Sequence, residues 1–158
     1  MKPTFDPTLD LSISRIIKAP RSIVWTAWTN PRQFERWWIP APARCKVAAM
    51  DLQPGGAFET EISENGAPFA PHINGCFLEV GEGETIVFTT ALVAGWRPAE
   101  NPFITAIITL KDHPSGTDYS AHVMHKNAAD RKMHDELGFA DGWGTAIEQL
   151  AKMVERSS

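Results

Sequence analysis

Residues 128–154 read AADRKMHDELGFADGWGTAIEQLAKMV, and this stretch decides the fold. Apolar side chains recur in it every three or four residues over about six turns, which predicts a long amphipathic helix. These side chains are Met133, Leu137, Ala140, Trp143, Ile147, Leu150 and Val154. Glycines at 138, 142 and 144 interrupt the pattern. Since each costs about 1 kcal/mol relative to alanine in a helix, they predict a kink or a close backbone contact there.

Most of the chain before this helix alternates apolar and polar residues with the period of two that is typical of β-strands. Strands are predicted at 11–17, 45–50, 58–62, 72–80, 85–92, 103–110 and 117–125, with a loop over 95–102. Two short helices are predicted between the first and second strands. Pro20 begins the first helix, and Asn30 caps a second one that starts at Pro31.

A run of antiparallel strands followed by one amphipathic helix has a simple packing solution, in which the sheet curves and its concave face holds the helix. The sequence therefore predicts an α+β fold in which a curved sheet grips a helix. It consists of a curved antiparallel sheet of six to seven strands around a long C-terminal helix, with two short helices after strand 1. Residues 1–8 are predicted to be a flexible lead-in and residues 9–156 a single domain.

Composition excludes several classes of protein. The 158 residues are 43% hydrophobic and 22% charged, which is ordinary for a globular domain and excludes a disordered or fibrous chain. Fifteen basic residues face 19 acidic ones without a basic block, which argues against nucleic-acid binding. We expect no membrane helix and no signal peptide, because no long apolar run occurs. A cytoplasmic monomer or homodimer with reduced cysteines is expected.

Short motifs resemble those of a known superfamily. They are AP at 19–20, VW at 24–25, WTNP at 28–31, WW at 37–38, PGGAF at 54–58, GCFLEV at 75–80, VFT at 87–89 and GFADGW at 138–143. Together they resemble the SRPBCC (START-like) superfamily over residues 9–154. The branch is that of bacterial, polyketide cyclase-like proteins related to the C-terminal domain of the activator of heat-shock protein 90 ATPase. The resemblance implies the helix-grip fold and a function among carriers, receptors, aromatase/cyclases and co-chaperone domains.

Strand alternation predicts which side chains face the space between sheet and helix. Glu59, Glu61 and Glu79 should face solvent, so the residues between them should point inward. The predicted ligand-binding residues are Trp38, Phe58, Thr60, His72, Asn74, Cys76, Phe88, Trp96, Tyr119, His125, Leu137 and Trp143. The alternative for the polar members is that they are core groups hydrogen-bonded to backbone.

Other polar residues suggest less chemistry. Arg15 shares the parity of apolar neighbours and is expected to form a structural ion pair. His125, Asp130 and His134 could converge where the last strand meets the helix. No spacing typical of a zinc site accompanies the five histidines, so neither a metal nor a cofactor is expected. Cys76 is expected to be a small buried apolar residue.

Three functions remain open. The first is binding of a small hydrophobic or aromatic molecule between the sheet and the C-terminal helix. The second is a cyclase-like enzyme acting on a polyketide-like substrate, with His125, Tyr119 or His72 transferring protons. The third is a chaperone-ATPase-activating domain with an exposed apolar patch on the sheet. It ranks lowest, because the eukaryotic activator carries an additional N-terminal domain that precedes the grip.

Overall fold

The computed structural model describes residues 3–156 and shows an α+β fold. Its strands are β1 (Asp10–Ile17), β2 (Arg44–Met50), β3 (Ala57–Ser63), β4 (Ala70–Gly81), β5 (Thr85–Thr89), β6 (Leu92–Val93), β7 (Arg97–Pro98), β8 (Thr105–His113) and β9 (Gly116–Met124). Seven of them form one curved antiparallel sheet in the order β1-β9-β8-β5-β4-β3-β2. The remaining two, β6 and β7, pair with each other.

Four helices complete the structure: α1 (Arg21–Thr29), α2 (Pro31–Phe34), α3 (Ala128–Glu136) and α4 (Phe139–Glu155). Asn30 caps α2 as predicted, since its Oδ1 accepts hydrogen bonds from the backbone N–H groups of Arg32 and Gln33. The buried face of α4 packs on the sheet and on α1. This arrangement confirms the helix-grip fold. No helix among residues 3–156 is both long enough and apolar enough to cross a bilayer.

An aromatic cluster fills the space between the first two helices and the sheet. Trp28 of α1 lies at its centre, fully buried, with the ring of Phe34 4.9 Å away and that of Phe58 5.8 Å away. The ring of Phe58 stacks on Phe77 at 4.9 Å and meets Phe88 edge-on at the same distance. These contacts attach α1 and α2 to strands β3, β4 and β5.

The C-terminal stretch forms two helices rather than the single helix predicted. Gly138 adopts a left-handed conformation (φ 98°) and separates α3 from α4. No residue of α3 is buried, and Met133 and Leu137 are exposed. Placing these two residues on the core-facing stripe was therefore wrong, because the break at Gly138 redirects the chain before the packed helix begins.

Two other segments differ from expectation or need comment. Strand β5 ends at Thr89, and residues 92–98 form the small β6–β7 sheet instead of extending it. In the predicted lead-in, Met1 and Lys2 lie outside the described residues, while the Asp6 backbone N–H donates to Asp10 at 2.9 Å. The domain boundary at residue 9 stays a prediction.

Two glycine substitutions test the helix break. We expect Gly138→Ala to lower the free energy of unfolding by about 1–2 kcal/mol, because an L-residue is strained in the left-handed region. Gly142→Ala should instead raise it by about 0.5–1 kcal/mol, since alanine favours a helix. A Cβ at either position meets no atom within 4 Å, so sterics do not separate them. Urea unfolding measures both, and equal effects would contradict the backbone argument.

Candidate ligand-binding pocket

A pocket of about 710 Å³ opens between α4, the sheet and the chain that follows α2. Most of its lining is apolar. The lining residues are Trp37, Trp38, Ile39, Pro40, Ile62, His72, Ile73, Asn74, Thr90, Val93, Pro98, Ala99, Glu100, Asn101, Phe103, Ile104, Tyr119, His134, Gly142, Trp143, Ala146 and Ile147. The aromatic cluster lies beneath it, since Trp38 lines the pocket and also contacts Phe58 and Phe88 at 6.2 and 6.1 Å.

Gln149 of α4 holds one wall in place. Its Nε2 donates to the carbonyl oxygens of Trp37 and Ile39, both at 3.0 Å. Its Oε1 accepts from the backbone N–H of Ala41 at 2.8 Å. The amide thereby satisfies three backbone groups of an irregular segment, which fixes Trp38 against Trp143 (ring centroids 5.6 Å). The sequence patterns pointed to neither this amide nor its partners.

The chain between β5 and β8 forms the mouth of the pocket. Residues 93 and 98–101 line it, including Glu100. Trp96 does not: it lies at the β6–β7 turn, is 51% exposed, and packs its ring over Gly55. A Cβ on Gly55 would approach the Trp96 ring to 2.6 Å, so only glycine allows this contact. Trp96, a predicted ligand-binding residue, therefore lies outside the pocket lining.

Two bulges in β4 overturn part of the prediction of which β4 side chains point into the pocket. The first inserts a residue opposite Thr60 and the second inserts Leu78 opposite β5. Each insertion exchanges the two faces of the strand. As a result Phe77 points inward onto Phe58, and Cys76 is buried on the opposite face beside Ala57 and Thr89. Cys76 was therefore wrongly assigned to the cavity.

His72 lies in the first bulge, where it and Ile73 are opposite Thr60, and it does line the pocket. Its Nδ1 is 3.2 Å from the hydroxyl of Thr60, and that hydroxyl also accepts from the backbone N–H of Ile73. Desolvation by the surrounding protein lowers the pKa of His72 below 6.5, although Glu64 opposes this. A neutral imidazole is therefore favoured at this wall.

Two hydrogen-bond donors in the pocket wall lack acceptors. Tyr119 accepts the indole N–H of Trp28 at 3.0 Å, and burial raises the pKa of its phenol. Its own O–H has no acceptor among residues 3–156. The indole N–H of Trp38 is buried without any partner in the same part of the chain. A buried donor left unpaired costs about 1–3 kcal/mol of stability.

A histidine pair lies at one wall of the pocket. Nδ1 of His125 lies 2.8 Å from the Leu9 carbonyl oxygen, and its Nε2 lies 2.8 Å from Nδ1 of His134. His134 lines the pocket, whereas His125 lies behind it against a smaller cavity of about 240 Å³. Burial, helped by the nearby His125, lowers the pKa of His134 to about 4, and Asp135 opposes this shift.

The predicted convergence of His125 and His134 is therefore present, but Asp130 does not join it. Asp130 instead forms an ion pair with Lys126. Within residues 3–156, no three His, Cys, Asp or Glu side chains lie close enough to hold a metal ion. Arg15 forms the expected ion pair, with Glu148 of α4.

The predicted site residues divide into three groups. Five line the pocket: Trp38, His72, Asn74, Tyr119 and Trp143. Phe58, Thr60 and Phe88 lie behind its wall, and Cys76, Trp96, His125 and Leu137 lie outside it. Leu137 is 75% exposed at the end of α3. The role of each in ligand binding stays a prediction.

Several lining residues were missed. Ile62, Thr90 and Ile147 belong to apolar rows that the patterns identified, so they could have been included. His134 was considered only as a metal ligand. The 98–101 segment gave no signal, because a loop has no periodicity that indicates where it packs.

An antiparallel sheet that grips one packed helix over an apolar pocket defines the helix-grip class of α+β proteins. Residues 18–155 match the family described as Activator of Hsp90 ATPase homolog 1-like protein. The chain therefore belongs to that family, as its motifs suggested. None of the curated proteins matches it.

Solved structures share the fold over nearly the whole chain. A crystal structure of a Nitrosomonas europaea protein is 39% identical, with a TM-score of 0.88, and the match covers 97% of this chain and 98% of that one. A Mycobacterium smegmatis protein is 24% identical with a TM-score of 0.77, covering 93% and 91%. An AHSA1-like protein from Aeromonas hydrophila is 18% identical with a TM-score of 0.67, covering 94% of each chain. The last two similarities show the fold alone.

The lowered pKa of His134 predicts loss of stability in acid. The unfolded chain binds a proton at this residue near pH 6.5 but the native state only near pH 4, so falling pH favours unfolding across that window. His125 and Asp135 are the titratable groups acting on it, and His72 adds an effect of the same direction. We expect the unfolding free energy of the native sequence to fall more steeply than that of His134→Asn, which cannot titrate.

Urea unfolding at pH 7, 6, 5 and 4 measures this difference. His113→Asn is the matched control for the substitution itself, because His113 is exposed at the end of β8 and does not line the pocket. Parallel pH profiles for the native protein and His134→Asn would show that His134 titrates normally.

Proposed function

We propose that this protein binds a small hydrophobic or aromatic molecule in the pocket between the sheet and α4. The observation that carries the proposal is a pocket of about 710 Å³ with a mainly apolar lining and a few separated polar groups. Ligand sites typically enclose about 300–1,000 Å³ and have this composition. The aromatic cluster beneath the pocket is closely packed, so the pocket does not result from loose packing throughout the core.

The lining favours flat apolar ligands. Trp38 and Trp143 meet edge to face at 5.6 Å and both line the pocket. Aromatic side chains interact well with aromatic ligands through stacked or edge-to-face contacts. Burial of apolar surface supplies the affinity at about 25 cal/mol per Å².

Blocking the pocket tests this function. The probe is 2-methoxynaphthalene, which is neutral and has 12 non-hydrogen atoms. If each atom contributes about 0.5 kcal/mol of binding free energy, the dissociation constant should be on the order of 10–100 µM. Gly142→Phe places a ring in the pocket, since a Cβ at Gly142 enters open space, and should weaken binding at least about tenfold. Ala140→Phe, on the exposed face of the same helix, should leave binding unchanged.

An NMR titration that follows the indole signals of Trp38 and Trp143 measures affinity and locates the probe. Gly142→Ala serves as a second control, because it alters the glycine without filling the pocket. Equal binding by Gly142→Phe and Ala140→Phe, or no shift at either tryptophan, would contradict the proposal.

A second candidate is activation of a chaperone ATPase. The family description names an activator of Hsp90 ATPase, and Met133 and Leu137, four residues apart on α3, are large exposed apolar side chains. This candidate predicts that the pure protein raises the ATPase rate of an Hsp90-type chaperone. Leu137→Ser should abolish the effect and Gly142→Phe should retain it; the opposite pattern would link activity to the pocket. Cyclase-like catalysis and a cytoplasmic location stay predictions of the sequence.

A further inference from the structure

The hydrogen bonds of the His125–His134 pair determine which ring nitrogens carry protons. The Leu9 carbonyl oxygen can only accept, so Nδ1 of His125 must donate to it. In a neutral ring the other nitrogen then has a lone pair, and Nε2 of His125 accepts from Nδ1 of His134. Nε2 of His134 is therefore the nitrogen that lacks a proton.

That nitrogen has no hydrogen-bond partner within residues 3–156, and His134 lines the pocket. The rings of Phe103 and Phe139 lie 5.0 and 5.1 Å from the His134 ring and surround it with apolar surface. An acceptor in such surroundings is valuable to a ligand, because water competes poorly there. Burial also keeps His134 neutral at physiological pH, since its pKa is lowered to about 4.

We propose that Nε2 of His134 selects neutral ligands that carry a hydroxyl donor, such as phenols, and that His125 acts as its positioning residue. The inference rests on the proposed ligand-binding function and names the class of ligand. His125 and the Leu9 carbonyl fix the tautomer, so His134 presents a lone pair rather than an N–H. The pocket therefore distinguishes a hydroxyl from an ether of the same shape.

Charge in the pocket disfavours the obvious competitor, a carboxylate. A carboxylate has no proton to donate to Nε2 at neutral pH, and the two lone pairs would repel. Glu100 at the mouth adds a negative charge, and none of the described lining residues is a lysine or arginine. Burying an unpaired anion in such a site is strongly unfavourable.

Three matched probes test the inference on the native protein at pH 7.5. They are 2-naphthol, 2-methoxynaphthalene and 2-naphthoate, which share a ring system and differ in the donor. We expect 2-naphthol to bind about three- to tenfold more tightly than 2-methoxynaphthalene, as one ordinary hydrogen bond would provide. Binding of 2-naphthoate should be the weakest.

Variants locate the acceptor. His134→Phe should reduce the preference for 2-naphthol over 2-methoxynaphthalene to about onefold. His72→Phe is the matched control, because His72 is the other histidine in the wall, and it should retain the preference. Loss of the preference in His72→Phe but not in His134→Phe would overturn the assignment to His134.

A measurement on the unsubstituted protein keeps the test independent of folding defects. Nitrogen-15 NMR of the histidine rings should show Nδ1 of His134 protonated and Nε2 bare, with Nε2 shifting on addition of 2-naphthol but not of 2-methoxynaphthalene. His125→Phe should allow the other His134 tautomer and reduce the preference. A protonated Nε2 in the native protein would overturn the proposal.

The outcomes separate this inference from the function on which it rests. Equal affinities for 2-naphthol and 2-methoxynaphthalene, with both bound in the pocket, would leave ligand binding intact and overturn the role of His134. Failure of both probes to bind would overturn the proposed function and this inference with it.

Discussion

The contact that most of this structure depends on is the packing of Trp28. Its ring is fully buried, and its indole N–H donates to the hydroxyl of Tyr119 at 3.0 Å. Because Trp28 lies on α1 and Tyr119 on β9, this bond sets the first helix against β9, the strand next to the edge strand β1. The rings of Phe58 and Phe88 then pack against Trp28 and close the space below Trp38. The aromatic cluster ends at Trp38, and the pocket lies on the other side of that ring.

Interactions between residues close in sequence explain why several strands and helices could be predicted. The cap at Asn30 and the alternation in β1, β8 and β9 depend on nearest neighbours, and their structure matches expectation. The two bulges in β4 depend on what the neighbouring strands require, and no periodicity indicates them. A slip of one residue exchanges the faces of a strand, which is why His72 reached the predicted side and Cys76 did not.

The same distinction explains the errors at the site. Trp96 and Leu137 were assigned inward because large apolar side chains usually pack. Trp96 packs on Gly55 instead, a contact that only the folded chain creates, and Leu137 follows a helix whose direction changes at Gly138. His134 shows the opposite case: nothing in the adjacent sequence indicates its position, and only the folded chain brings it beside His125.

The group that accepts the hydrogen bond from Nδ1 of His125 decides which chemistry the His125–His134 pair favours. A carboxylate behind His125 would stabilise an imidazolium and make the pair a source of protons. A backbone carbonyl is neutral and offers only a dipole, so it provides no negative charge that would stabilise an imidazolium. When both rings are uncharged, their hydrogen bonds run in one direction and leave the lone pair on Nε2 of His134, beside the pocket. An apolar pocket tolerates such an acceptor at low desolvation cost, whereas a charged group there would need a counterion that the described lining does not provide.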